Sequence, residues 1–187
     1  MTLHNFQRSL ELSHAYADAP WWAEVYERAF PGCEVQDLRA DGWWQRAGID
    51  RRVHLPNAAT VTVDEKVREE DWPDILLECW SVWLGRKDHP RNKPGWIQYA
   101  ACDYLAYAFV PSRRCYLLPM RELQRAWATH GEQWKIKAER RVDGFYKAVA
   151  ENEGYQTLGV CVPIDVLMQA IQDAMLVNWS KTWEAAS

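Results

Sequence analysis

The fold of this 187-residue chain is decided by residues 48–68, whose sequence is GIDRRVHLPNAATVTVDEKVR. Apolar and polar side chains alternate along residues 45–55 and again along residues 60–68. Since neighbouring side chains of a strand point to opposite faces, each run predicts a half-buried β-strand. Pro56-Asn57 supplies a turn between the two runs, so together they predict an antiparallel hairpin.

Charged residues of this hairpin are spaced so that they share a surface. Asp64 and Lys66 lie two residues apart and therefore project from one face of their strand, while Glu65 projects from the other. When the two strands pair, Asp50 comes close to Asp64. Two carboxylates and an ammonium group on one surface can hold a divalent metal ion and a phosphate at once. The pattern predicts the chemistry of a metal-dependent phosphodiesterase.

Elements outside the hairpin predict a mixed α/β chain. Residues 1–16 predict a short amphipathic helix, and a second helix begins at Asp18-Ala19-Pro20 and ends at Pro31-Gly32. The further predicted elements are a buried third strand at 74–80, a helix at 96–109, a strand at 114–118, a helix at 120–130, a strand at 155–162 and a last helix beginning at Pro163. A three-strand meander followed by a helical crossover predicts a mixed sheet with helices packed on it.

Length and composition indicate one globular domain. With 48% hydrophobic residues the chain can form a proper core, and we expect a single domain over residues 1–187. Residues 18–118 would form its core, and residues 119–187 an extension packed on that core. The net charge of −4 lacks the basic excess that is typical of nucleic-acid-binding proteins, which counts modestly against a nuclease.

Cysteine usage and the lack of long apolar runs indicate a compartment. The five cysteines are odd in number and include no Cys-x-x-Cys pair, so neither a zinc site nor a disulfide framework is expected. Free thiols are typical of a reducing cytoplasm. No signal peptide is recognisable, and no apolar stretch approaches the roughly 20 residues that span a bilayer. We therefore expect a cytoplasmic protein without a membrane partner.

The acids and the lysine of the hairpin resemble the motif of the PD-(D/E)xK nuclease superfamily. In that family an acid on one strand precedes an acid-x-Lys triplet on the next, and here Asp50 matches the first acid while Asp64 and Lys66 match the triplet. The predicted order of helix, three-strand meander, helix and strand is also the family's common core. The resemblance covers residues 18–118, and the sequence around the motif resembles that of uncharacterised phage and mobile-element members.

The resemblance implies a fold, a metal and a substrate. The fold would be α/β and restriction-endonuclease-like, with a mixed central sheet flanked by helices and a helical C-terminal extension. Asp50, Asp64 and the backbone carbonyl of Glu65 would bind Mg²⁺ or Mn²⁺, and Lys66 would assist catalysis electrostatically. The substrate would be nucleic acid, DNA rather than RNA, in the cytoplasm of a bacterial or phage-infected cell. Members often work as homodimers.

Two features of the family pattern leave alternatives open. The middle residue of the triplet is usually apolar, whereas here it is Glu65, which could pair with Arg51, lie at the end of the sheet or become a ligand through a bulge. Many members also use a glutamate from the helix before the sheet. Glu24 and Glu27 are the candidates, and Glu27 is favoured as a catalytic residue because it lies nearer the edge of the apolar stripe.

Other residues and the function itself also allow two interpretations. The arginines beside the acids, which are Arg51, Arg52 and Arg68, fit phosphate contacts and neutralisation of carboxylates equally well. The pairs Trp21-Trp22 and Trp43-Trp44 could stack on bases, although most tryptophans are packing residues. The alternative function is a catalytically inactive protein of the nuclease fold that binds a protein or nucleic acid.

Overall fold

The computed structural model describes residues 15–180, so the helix predicted at residues 1–16 falls almost entirely outside the described residues. The chain is mixed α/β and forms two compact units. The first, here called the large-sheet unit, contains the described residues 15–72, 100–121 and 173–180. The second, the small-sheet unit, contains Pro73–Tyr99 and Glu122–Gln172. The division predicted between residues 118 and 119 stays a prediction.

Helices and strands alternate irregularly along the chain. The helices are α1 (Trp21–Ala29), α2 (Gly42–Arg46), α3 (Trp96–Tyr99), α4 (Met120–Arg140) and α5 (Ile164–Ala170). The strands are β1 (Glu34–Asp37), β2 (Arg51–His54), β3 (Thr60–Arg68), β4 (Asp74–Trp83), β5 (Lys93–Pro94), β6 (Tyr104–Phe109), β7 (Arg114–Pro119), β8 (Tyr146–Asn152), β9 (Tyr155–Pro163) and β10 (Met175–Asn178). Within residues 15–180, no helix is long and apolar enough to cross a membrane.

The large-sheet unit is built on a six-stranded mixed sheet in the order β1-β2-β3-β6-β7-β10. The predicted hairpin is confirmed, because β2 and β3 pair antiparallel with Arg51 opposite Val63. Strand β3 then pairs in parallel with β6, and Lys66 lies opposite Tyr107. A parallel neighbour requires a crossover, and the chain between β3 and β6 supplies it by passing through the small-sheet unit.

Helix α1 covers one face of this sheet. Its buried side chains are Trp21, Trp22, Val25 and Tyr26, and they join the valines and alanines that β2, β3 and β6 turn toward them. The helix begins after Pro20, and no side chain caps it. Asp18, at which the sequence predicts the helix to begin, accepts a hydrogen bond from Arg39. The sheet face under α1 is therefore an apolar core, and polar residues of β3 that alternate with Val63 must use the opposite face.

The predicted meander is correct for the hairpin but wrong for the third strand, which was placed at residues 74–80. Residues 74–80 belong to β4, which lies in the four-stranded sheet β5-β4-β9-β8 of the small-sheet unit. Strand β1 completes the meander instead, pairing with β2. All four residues of β1 are exposed, so this edge strand lacks the apolar alternation by which strands are recognised. The continuous apolar run of β4 fits a central strand of either sheet.

The helix predicted at 96–109 is also wrong. Helix α3 ends at Tyr99, and Tyr104–Phe109 is the central strand β6. Its alanines favour a helix by intrinsic propensity, but the strand is buried on both faces between β3 and β7, and this tertiary context overrides the propensity. Ala106 and Ala108 are completely buried in the core under α1.

The C-terminal part is only partly helical. The strands predicted at 114–118 and 155–162 are confirmed as β7 and β9, and the helix predicted at 120–130 continues to Arg140. A helical extension is nevertheless wrong as a description, because residues after 140 also contribute β8, β9 and β10. Strand β10 pairs with β7 at the edge of the large sheet, so the last predicted helix ends at Ala170 and extended chain follows it.

Candidate metal and active site

Three of the predicted site residues lie on the sheet face opposite α1. Asp50 directly precedes β2 and continues its ladder, since its N–H donates to the carbonyl of Val63 at 2.8 Å. Asp64 and Lys66 alternate with Val63, whose side chain is in the core under α1. The hairpin thus brings Asp50, Asp64 and Lys66 to one surface of the large-sheet unit.

The two aspartates are held side by side. The carboxylate of Asp50 accepts a hydrogen bond from the backbone N–H of Glu65 at 2.8 Å, which fixes it against β3 beside Asp64. Asp64 is 3% exposed. Burial is the main reason why the pKa of Asp64 rises to about 7, and the negative charge of Asp50 and a hydrogen bond with it raise that pKa further. A pair of carboxylates in this position favours the protonated form of one of them.

Lys66 supplies the positive charge of this surface. Its Nζ lies 2.6 Å from Oδ1 of Asp64, and the ion pair lowers the pKa of Asp64 without offsetting burial. The lysine side chain is 32% exposed and the Asp64 side chain 5% exposed, so the cation reaches water while the acid does not. The ammonium group can therefore approach a ligand from solvent while it remains bound to the acid pair.

Glu65 makes a separate network on the α1 side of the sheet. Its Oε1 accepts hydrogen bonds from Tyr26 Oη at 2.7 Å and from Arg51 Nε at 3.0 Å. Burial raises the pKa of Glu65 to about 7, although Arg51 and Tyr26 both lower it. Arg51 also contacts Asp37 at 3.0 Å and donates to the carbonyl of Ala17. Of the interpretations open for Arg51, the structure shows neutralisation of carboxylates.

The same contacts decide what Glu65 offers to a metal. Strands β3 and β6 pair without a register shift, so no bulge turns the Glu65 side chain toward Asp64. The atom of Glu65 that can bind a metal is therefore its backbone carbonyl oxygen. The N–H and C=O of one strand residue point to the same edge, and the Glu65 N–H points to Asp50. Since pairing with β2 ends at Val63, the Glu65 carbonyl lies at the edge occupied by the Asp50 carboxylate.

The structure does not bring Glu27 to the aspartate pair. Its Oε1 accepts a hydrogen bond from the N–H of Gly32 at 3.0 Å, just beyond the end of α1. The other candidate, Glu24, pairs with Arg28 at 2.6 Å and accepts hydrogen bonds from Ser180. Because α1 packs on the Glu65 side of the sheet, the sheet itself separates both glutamates from Asp50 and Asp64.

Two contacts of the buried acids Glu65 and Asp64 were not predicted from the sequence. Tyr26, a buried residue of α1, donates to Glu65. Cys102 lies beside Asp64, and burial raises the pKa of its thiol to about 12. Burial thus disfavours the thiolate form of Cys102. An isolated cysteine in a loop has no spacing pattern that could have indicated this position.

The donor set fits a hard cation. Two carboxylates and a backbone carbonyl offer oxygen atoms only, and Mg²⁺ is commonly bound by one or two carboxylates that leave room for water and substrate phosphate. Among residues 15–180, no group of three or more His, Cys, Asp and Glu side chains is arranged to hold a metal ion. The fit therefore depends on Asp50, Asp64 and the Glu65 carbonyl.

Comparison with known proteins does not assign the chain to a family. No protein-family model, no curated protein and no solved structure matches it. Function is therefore inferred from the contacts of Asp50, Asp64 and Lys66.

Proposed function

We propose that this protein is a metal-dependent nuclease that hydrolyses phosphodiester bonds, with DNA as the expected substrate and Mg²⁺ or Mn²⁺ as the metal. The observation that carries the proposal is that the carboxylates of Asp50 and Asp64 lie side by side next to the ammonium group of Lys66. The proposal includes a cytoplasmic location, in keeping with free cysteines among the described residues, and a homodimer.

Strand order supports a restriction-endonuclease-like core. In the large-sheet unit, helix α1 is followed by the antiparallel meander β1-β2-β3, and β6 then adds in parallel to β3. The short helix α3 precedes β6 in the chain. The helix, the meander and the parallel strand agree with the succession that the motif resemblance implies. The chain adds α2 within the meander and β4 and β5 before α3, and α3 belongs to the small-sheet unit. The motif residues stand at the corresponding places, with Asp50 at the start of β2 and Asp64 and Lys66 on β3.

The side chains suit phosphodiester hydrolysis. Asp50, Asp64 and the Glu65 carbonyl would bind the metal. A bound divalent ion would polarise a phosphate oxygen and lower the pKa of a coordinated water. Lys66 contributes a fixed positive charge beside the acids, where it can stabilise negative charge that develops on the phosphate. Because Lys66 is ion-paired with Asp64, we assign it electrostatic assistance and not proton abstraction.

Two arginines extend the positive charge over the same sheet face. Arg52 lies two residues after Asp50, and Arg68 two residues after Lys66, so all four project from one side of the hairpin. Arg68 donates to the hydroxyl of Tyr107 at 2.6 Å and keeps its charge. These arginines are suited to hold phosphates on either side of the acid pair.

A cleavage assay tests the proposal. End-labelled single-stranded DNA, duplex DNA and RNA are incubated with the full chain in Mg²⁺, Mn²⁺ or EDTA. We expect cleavage that requires the metal, and a loss of at least about 100-fold in rate for Asp50→Asn and for Asp64→Asn. Glu27→Gln is the matched control, since this acid lies on the other side of the sheet, and it should cut at the wild-type rate. Cleavage by Asp64→Asn at the wild-type rate contradicts the proposal.

One observation favours the alternative of a binding protein without catalysis. Asp64 is buried and ion-paired, as it would be in a structural salt bridge on a nuclease-derived sheet. In that case the full chain binds a nucleic acid or a protein, and no substrate is cut in Mg²⁺ or Mn²⁺. Calorimetric titration with Mn²⁺ separates the two functions. Only the nuclease requires that the wild type bind the ion and that Asp50→Asn lose this binding.

A further inference from the structure

An exposed tryptophan lies on helix α2 of the large-sheet unit. Trp43 on α2 is 61% exposed, which is the largest exposed fraction among the exposed large hydrophobic side chains of the described residues. The other tryptophan pair behaves differently, since Trp21 and Trp22 are 1% and 4% exposed in the core under α1. Of the two pairs that could stack on bases, only Trp43-Trp44 presents an indole to solvent.

The indole of Trp43 is held in place. Its backbone N–H donates to the carboxylate of Asp41 at 2.8 Å, which caps α2. Its ring meets that of Trp44 edge to face, with centroids 4.6 Å apart and planes at 90°. The guanidinium of Arg52 in turn lies 4.7 Å from the centre of the Trp44 ring. Trp43 is thus supported by a capped helix and by the indole of Trp44, which itself contacts a cation from β2.

This cluster adjoins the candidate metal site within the large-sheet unit. Arg52 and Asp50 are two residues apart on one edge of the hairpin, which corresponds to about 7 Å along a strand. They share a face, and Arg52 contacts Trp44 on that face. The exposed Arg46 lies three residues after Trp43 on α2, so the two side chains leave the helix on the same side and this surface has a second cation. An aromatic ring with two guanidinium groups is complementary to a base followed by its phosphates.

We propose that Trp43 is a stacking platform for an unpaired base of single-stranded nucleic acid, with Arg52 holding the adjacent phosphate and leading the strand to Asp50 and Asp64. This inference rests on the proposed nuclease function and names its substrate class. Single-stranded nucleic acid is the fitting ligand because a base within a duplex is already stacked on both faces and offers no free face to an indole. An apolar protein segment would not use the two cations.

Binding without cleavage tests the stacking. Fluorescence anisotropy measures the affinity of the full chain for a labelled oligothymidylate of about 12 nucleotides and for a duplex of equal length, in EDTA. We expect preference for the single strand and a loss of at least about fivefold in affinity for Trp43→Ala. Trp43→Phe should retain most of the affinity. Trp72→Ala is the control, because Trp72 is also exposed, at 37%, and lies outside the cluster.

A second measurement uses the unaltered chain, so it does not depend on the folding of any variant. Oligonucleotides with 5-bromouracil are photocrosslinked to the protein, and the attached peptide is identified by mass spectrometry; we expect the crosslink at Trp43. Equal affinity of Trp43→Ala and wild type, or a crosslink confined to other residues, overturns the inference. Binding that depends on Trp43, without any metal-dependent cleavage, would support the stacking role of Trp43 and contradict the nuclease function. Metal-dependent cleavage with binding that does not depend on Trp43 would support the nuclease function and contradict the stacking role.

Discussion

Asp64→Asn should make the folded chain more stable at pH 8 while it abolishes cleavage. The variant keeps the shape of the side chain and removes its charge. In the wild type, burial and the neighbouring Asp50 raise the pKa of Asp64 from its ordinary 3.8 to about 7. The folded chain therefore binds this proton more tightly than the unfolded chain does. Its contribution to stability is fully present below about pH 4 and is lost as the pH rises through about 7.

The size of the effect follows from the two pKa values. A change from 3.8 to about 7 corresponds to about 4 kcal/mol between the protonated and the ionised form. The attraction of Lys66 is already part of this value, because it is one of the causes that lower the pKa of Asp64. We expect Asp64→Asn to gain up to about 4 kcal/mol in free energy of unfolding at pH 8 and almost nothing at pH 4. Removing a charge that function requires commonly trades activity for stability.

Urea unfolding in EDTA from pH 4 to pH 8 measures this difference, with Asp88→Asn as a control because that loop side chain is 85% exposed. The difference between Asp64→Asn and wild type should grow as the pH rises. Adding Mg²⁺ at ten times its dissociation constant should stabilise the wild type by about 1.4 kcal/mol and leave the variant unchanged. A variant that is destabilised equally at pH 4 and pH 8 would show that Asp64 serves as an ordinary salt bridge, and the reasoning would fail.

Three further substitutions examine other parts of the structure. Lys66→Ala should lower the rate of metal-dependent cleavage by about 100-fold, because the fixed cation beside the acids is lost; equal rates in a single-turnover assay would remove it from the mechanism. Tyr26→Phe should cost about 1–3 kcal/mol in urea unfolding, since it deletes a donor to buried Glu65, yet cleavage should persist because the network lies on the other sheet face. Gly95→Ala should destabilise the small-sheet unit by at least about 2 kcal/mol, because the new Cβ would lie 2.1 Å from the carbonyl oxygen of Glu78; an unchanged thermal midpoint would contradict this.

Local patterns of the sequence predict the hairpin well. The alternation along β2 and β3 and the turn between them depend only on neighbouring residues, and the two strands pair as expected. The common face of Asp64 and Lys66 follows from their spacing alone. Proximity of Asp50 required a pairing register, which the turn between the strands fixes. These features involve short sequence separations, so the pattern of neighbouring residues is enough to predict them.

Long-range pairing could not be predicted in the same way. Nothing local distinguishes β4 as a member of the small sheet, because its apolar run suits any buried strand. The alanines of β6 favour a helix until β3 and β7 enclose them on both sides. The contact of Cys102 with Asp64 likewise joins residues that are far apart in sequence. Each of these features depends on which distant segment packs against it.

The two faces of β3 differ in how the charges of their buried carboxylates are compensated. Adjacent residues Asp64 and Glu65 are both buried, and burial raises the pKa of both to about 7. Glu65 faces a buried arginine and a tyrosine hydroxyl, which together compensate one carboxylate. Asp64 faces Lys66 but also Asp50, so when both acids are ionised this group carries two negative charges and one positive. The divalent cation of the proposed function would offset this excess negative charge, which a salt bridge between Asp64 and Lys66 alone does not have.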